Sequence, residues 1–237
     1  MKRIFWKTRG AVRLMADAIR AHDARLTYSQ DGEDIMIQSL FQNVESGFYV
    51  DVGCYHPVRY SNTFMFHKKG WRGINIDATP GVKALFDRYR PSDINIWSAI
   101  SSMKGEVEFA TFGEGAVNTL ADREVPVAFG SPNMIRVQSM TLADTLAKYL
   151  PPGQDIDFLS VDVEGVDLEV LRSNDWKCFR PKVVCVEQVG INLRKMLDGP
   201  MCRFMEDMGY VLYARTPLSM IFKEQQFFPP YVDRSLA

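Results

Sequence analysis

A chain of 237 residues with 46% hydrophobic and 24% charged side chains has the make-up of an ordinary globular protein, with room for one α/β domain and some decoration. Its formal net charge of −1 argues against a general nucleic-acid binder, and no run nears the roughly 18 apolar residues of a membrane span. No apolar stretch follows the basic N-terminus, so no signal peptide is expected. The cysteines Cys54, Cys178, Cys185 and Cys202 lack CxxC spacing and read as reduced thiols, which fits a cytoplasmic setting.

Residues 1–26 carry seven basic and two acidic side chains, a net +5, so the remainder sums to −6. Val12, Met15 and Ile19 fall on one helical face there. The segment reads as a basic helix packed on the domain or on a partner subunit of a homo-oligomer. Weak contact with an anionic membrane surface is the sharper alternative. A single domain is expected over 27–237. In YSQDGEDIMIQSLFQ, Ser29 or Asp31 is placed to cap a helix with Glu33 and Asp34 in its first turn.

Phe48 to Val52 then reads as a buried parallel strand that ends at Gly53. Ser61 or Asn62 caps the next helix, and GINID (Gly73 to Asp77) is the second strand. Thr79 and Pro80 are expected to start a helix that buries Val82, Leu85, Phe86 and Tyr89. INIWSAIS, Ile94 to Ser101, is the third strand.

Residues 104–140 break this rhythm. EVEFATF and MIRVQSMT read as two extra strands, and the long polar stretch between them as a flap covering a substrate. Thr141 caps a helix through Lys148. The fourth strand is Ile156 to Val161, the helix VDLEVLRS follows, and the fifth strand ends at Glu187. A helix from Leu197 to Met208 and an antiparallel pair, GYVLYAR and SMIFK, close the chain. Alternating strands and helices in this order give a doubly wound, mostly parallel sheet. The aromatics Phe129, Phe227, Phe228 and Tyr231 read as packing residues, or as a platform for a sugar or aryl acceptor.

Four of the parallel strands end in acids: Asp51, Asp77, Asp162 with Glu164, and Glu187. Such groups are costly to bury unpaired, so a cation, a hydroxyl-rich ligand or a metal is expected at this edge, although an acid can also merely cap the next helix. The second strand ends in its acid about twenty residues after the first, the spacing of a carboxylate on ribose hydroxyls. Only one glycine follows Asp51, and the chain has no P-loop. A cofactor with a ribose but no phosphate, S-adenosylmethionine, fits better than a dinucleotide.

The segments SQDGEDIMI, FYVDVGCYHPVRYSNTFMFHKKGWRGINIDATP, DINIWSAIS and FLSVDVEGVDLEVLRSNDW resemble the FkbM family of S-adenosylmethionine-dependent methyltransferases, from about Tyr28 to Glu187. The resemblance implies a class I, Rossmann-like methyltransferase fold: a seven-stranded sheet with one antiparallel strand. It implies Asp51 and Gly53 near the methionine end of the cofactor, Asp77 on its ribose, and Ala78, Ser98 and Ala99 by its adenine. Asp162 is implied to face the sulfonium and the acceptor. The chain departs from the family pattern at Cys54, Tyr55, His56 and Pro57, which puts a titratable His56 near the reaction centre.

The activity implied is O-methylation of a hydroxyl on a small-molecule natural product or a glycan. Such a hydroxyl needs a base, for which Asp162, Glu164, Glu187 and His56 are candidates. The three acids could instead hold Mg²⁺ or Ca²⁺ through oxygen ligands. Rival readings are a nucleotide-cofactor oxidoreductase on a similar sheet, and a non-catalytic cofactor-binding scaffold.

Overall fold

The computed structural model describes residues 25–113, 118–120, 130–190 and 192–227. The expected basic helix lies outside the described residues except for its last two positions. The same holds for Phe129, Phe228 and Tyr231 and for most of the polar stretch within 104–140. Among the described residues, no helix is long and apolar enough to cross a membrane. All four cysteines are free thiols, three of them buried and Cys178 exposed.

Seven strands form the main sheet: β1 (Phe48–Val52), β2 (Arg72–Asp77), β3 (Ile94–Trp97), β8 (Phe158–Val161), β9 (Val183–Glu187), β10 (Tyr210–Arg215) and β11 (Ser219–Glu224). Their order is β10-β11-β9-β8-β1-β2-β3, and only β11 runs against both its neighbours. β1 and β8 are buried at every position, because helices cover both faces of the sheet. On one face Val50, Val52, Ile74, Ile76, Val161 and Val184 pack under α4 (Leu142–Tyr149), α5 (Asp167–Arg172) and α7 (Pro200–Asp207). On the other, Tyr49, Phe158, Val183 and Cys185 pack with Ile37 and Leu40 of α1 (Glu33–Leu40) and with Phe66 of α2 (Phe64–Lys68).

The third strand is shorter than its sequence pattern predicts. At Ser98 the chain leaves the main sheet, and Ala99–Ile100 become β4 of a second, four-stranded sheet. Ser98 makes the crossing by donating its amide to the Asp77 carbonyl (3.1 Å) and its hydroxyl to the Gln138 carbonyl (2.9 Å). β5 (Gly105–Thr111), β6 (Thr119–Leu120) and β7 (Asn133–Met140) complete this sheet, in the order β4-β7-β5-β6. The two extra strands are therefore paired with each other along their whole length.

Other local differences have simple causes. Thr79 does not cap the next helix: α3 (Val82–Tyr89) opens at Gly81, whose φ is 86°. Likewise α1 opens at Gly32 with no side-chain cap, while Ser29 donates its hydroxyl to Asp34. The helix expected from Leu197 to Met208 is two helices, α6 (Leu193–Leu197) and α7, because Gly199 and Pro200 restart the chain. Thr141 does cap α4, accepting from the Asp144 amide. Phe227 is a packing residue, tilted against Phe41 with ring centroids 5.5 Å apart.

Candidate active site

A cleft opens at the C-terminal ends of β1, β2 and β8, where β1 and β2 give way to loops. Its floor is the turn after β1. Gly53 has φ of 78°, and a Cβ placed there would lie 1.7 Å from the Asp162 carbonyl oxygen. Only glycine allows the turns after β1 and β8 to approach this closely.

Asp77, at the end of β2, is buried beside the cleft. Its two oxygens accept the amides of Tyr55 (2.8 Å) and Thr79 (2.7 Å), and the Thr79 hydroxyl is bonded to it as well, which fixes the carboxyl plane and leaves an acceptor position over for a ligand. Burial raises its pKa, and the two amides and the Thr79 hydroxyl act against that rise. Ala78, Ala99, Phe109 and Leu120 supply an apolar slot from both sheets. The Trp97 indole donates to the Ala78 carbonyl at 2.8 Å from outside.

The far wall carries charge. Asp162, Glu164 and Glu187 each present a carboxylate oxygen, and these oxygens lie within 4.8 Å of one another. Asp162 and Glu164 sit on the loop after β8. Asp167 holds that loop by accepting the amides of Val163 and Gly165, both at 3.1 Å. Glu164 has φ of 56°, a left-handed backbone uncommon for a side chain of this size. Burial, then repulsion from its neighbours, pushes Glu164 up to about 7 and Glu187 up to about 8. Burial and Glu187 push Asp162 well above the usual carboxylate range. The three must share protons or a cation at neutral pH.

The model of the Methyltransferase FkbM domain matches residues 51–212, which is more than half of the chain. The chain belongs to the FkbM methyltransferase family. Its seven-stranded sheet is the class I, Rossmann-like arrangement. A search of curated proteins returns no match. Similar solved structures include a TehB-like SAM-dependent methyltransferase from Corynebacterium glutamicum (12% identity, 92% of this chain and 97% of that one, TM-score 0.42). They also include a precorrin-6y C5,15-methyltransferase from Geobacter metallireducens (11% identity, 85% and 93%, TM-score 0.45). A third is the 1,6-didemethyltoxoflavin-N1-methyltransferase of Burkholderia thailandensis, with 1,6-didemethyltoxoflavin and S-adenosylhomocysteine bound (12% identity, 92% and 90%, TM-score 0.41).

Within this FkbM domain the cleft brings together Gly53, Asp77, Ala78, Ser98, Ala99, Asp162 and Glu164. Asp51 is not among its lining residues. Val50 and Val52 face the opposite side of β1, so alternation turns Asp51 away, and its carboxylate accepts the Thr63 hydroxyl at 2.6 Å. Arg90, fully buried, donates in turn to Thr63 Oγ1 (2.9 Å), Ser61 Oγ (2.8 Å) and the Pro57 carbonyl. Asp51 thus anchors the loop beneath the cleft, and burial raises its pKa to about 6.

His56 is not in the lining either. Its Nδ1 accepts the amides of Val58 (3.1 Å) and Arg59 (3.0 Å), so the neutral ring carries its proton on Nε2 and offers no free acceptor nitrogen. Burial and then Arg59 lower its pKa. Glu187 joins the acids without lining the cleft itself.

Tyr55, Phe109, Asn118 and Leu120 line the cleft and were not legible as site residues. Phe109 carried a signal, since Val107 and Phe109 alternate on one face of β5. Asn118 and Leu120 lie in a polar stretch with no period to place them.

Proposed function

We propose that the chain is an S-adenosylmethionine-dependent O-methyltransferase acting on a hydroxyl of a sugar, a glycan or a small natural product. The observation that carries this reading is the set of three neighbouring carboxylates with raised pKa values, two of which, Asp162 and Glu164, line a cleft fitted for the cofactor. The fit rests on donor chemistry: Asp77 with an acceptor position left over suits a ribose hydroxyl, the Ala78, Ala99, Phe109 and Leu120 slot suits a flat base, and Asp162 suits a cation.

Bound S-adenosylmethionine supplies an electrophilic methyl group on a sulfonium. The protein's part is to place an acceptor oxygen in line with that carbon and to remove its proton. A carboxylate whose pKa lies near 7 to 8 is a stronger base than an ordinary one, and it can take the hydroxyl proton as the oxygen–carbon bond forms. Glu164 and Glu187 fill this role, with Asp162 next to the sulfonium side. His56, with Nδ1 occupied, is the weaker candidate.

A second reading has its own observation. Three oxygen donors within 4.8 Å of one another would also suit Mg²⁺ or Ca²⁺, which would acidify the hydroxyl directly. Labelled methyl transfer from S-adenosylmethionine onto a panel of sugars, nucleotide-sugars and lipid-linked glycans tests the proposal, with and without EDTA. Transfer to hydroxyls that survives EDTA supports the carboxylate base. Loss with EDTA and recovery with Mg²⁺ assigns the acids to a metal. Transfer only to amines or carbon sinks the O-methylation reading. Calorimetry with S-adenosylhomocysteine separates the enzyme from an oxidoreductase or a scaffold: binding without NAD binding is expected, lost together with activity in Asp77→Ala.

A further inference from the structure

Asn118 and Thr119 are consecutive residues at the start of β6 in the second sheet, and each is more than nine-tenths buried. Neither lies on the main sheet, yet their side chains reach opposite sides of the cleft. The Phe112 amide, which can only donate, points at Asn118 Oδ1 (2.7 Å) and so fixes which end of the Asn118 amide is oxygen. Asn118 Nδ2 then donates to Thr79 Oγ1 at 3.0 Å. The Thr79 hydroxyl is itself bonded to Asp77, so a relay of three hydrogen bonds runs from Phe112, just past β5, to the acid at the ribose position.

Thr119 acts on the other side. Its hydroxyl donates to the Glu164 carbonyl at 3.1 Å. Glu164 is the acid of the triad with the left-handed backbone, and Asp167 secures its loop through the amides on either side, Val163 and Gly165. The Glu164 carbonyl itself is held from β6. A left-handed conformation is unfavourable for a residue with a Cβ and persists only where its surroundings impose it.

We propose that β6 is a clasp in which Asn118 and Thr119 are positioning residues, tying the ribose-binding acid to the loop that carries Glu164. This rests on the cofactor reading above. Asn118 sets the Thr79 hydroxyl toward Asp77, and Thr119 holds Glu164 where its carboxylate meets those of Asp162 and Glu187. A ligand seated at Asp77 and Ala78 therefore stiffens the acid loop through β6 as well as by direct contact.

The test uses the full chain and S-adenosylhomocysteine as probe, with calorimetry and amide hydrogen exchange on Asn118→Ala, Thr119→Val and Thr119→Ser. Asn118→Ala is expected to weaken binding about tenfold, the worth of one buried hydrogen bond. Thr119→Val is expected to leave affinity within about twofold and to speed exchange in the peptide spanning 162–166, with and without the probe, while Thr119→Ser restores it. Melting temperatures within a few degrees of the parent confirm that each variant folds. Equal exchange at 162–166 in Thr119→Val and the parent would overturn the clasp, as would parental affinity in Asn118→Ala. Failure of the parent to bind the probe counts against the cofactor reading instead, and exchange of the ligand-free Thr119→Val protein still decides whether β6 holds the Glu164 loop.

Discussion

At the scale of single residues, Gly53 is the position where chemistry and backbone meet. Its neighbours could be changed for others of like size, but an added Cβ would collide with main chain rather than with a side chain that could turn aside. Gly53→Ala is expected to lose more than about 2 kcal/mol, the left-handed cost plus the collision, and to abolish S-adenosylhomocysteine binding at temperatures where it remains folded. Denaturant unfolding with calorimetry checks both. Asp51 teaches the complementary lesson. A strand of five buried positions hides its alternation, so nothing in FYVDV tells whether Asp51 faces the ligand or turns to Thr63 and the buried Arg90 behind it. The acids at the ends of β2, β8 and β9 escaped that ambiguity because each is the last residue before, or the first within, a loop at the ligand edge.

Among elements, the parallel core was legible and the second sheet was not. β1, β2, β8 and β9 announce themselves as short β-branched runs bounded by glycine or an acid, and parallel strands buried on both faces leave little choice of position. β4 to β7 depend on pairings between residues far apart in sequence, such as Phe109 with Ile135, for which the local pattern gives strands but no partners. That is why 104–140 reads as a flap although its described strands are a sheet, and why the β3–β4 break at Ser98 was hidden within one apolar run. Phe109 and Leu120 belong to the cleft through that sheet. Thr79 was misplaced as a cap for a related reason: a positive-φ glycine can open a helix without help, which freed the hydroxyl for Asp77 and Asn118.

For the molecule as a whole, the acid triad sets a pH dependence whose sign differs from that of most carboxylates. Unfolded, Glu164 and Glu187 ionise near 4.5; folded, they keep their protons up to about 7 and about 8. The folded state therefore binds more protons across that window, and stability falls as pH rises through it. The melting temperature is expected to drop between about pH 5 and pH 8, and Glu187→Gln is expected to flatten the slope. The same substitution removes the Glu187 charge that, after burial, raises Asp162, so Asp162 ionises more easily and the rising limb of a pH–rate profile moves to lower pH. Saturating Mg²⁺ restores stability at the upper end of the window only if the triad takes the ion.

Trp97 gives the cleft an optical handle. Its indole is 50% exposed, while Trp71 and Trp176 are 1% and 7% exposed, and its N–H is tied to the carbonyl of Ala78 at the edge of the apolar slot. A ligand seated there changes the polarity around Trp97 and leaves the buried Trp71 and Trp176 as an internal constant; Trp6, the fourth tryptophan, lies outside the described residues. Emission of the parent protein is expected to shift on titration with S-adenosylhomocysteine, and Trp97→Phe to erase the shift while calorimetry still records binding. Occupancy of the cleft then becomes readable in real time, in a cuvette, before any acceptor is in hand.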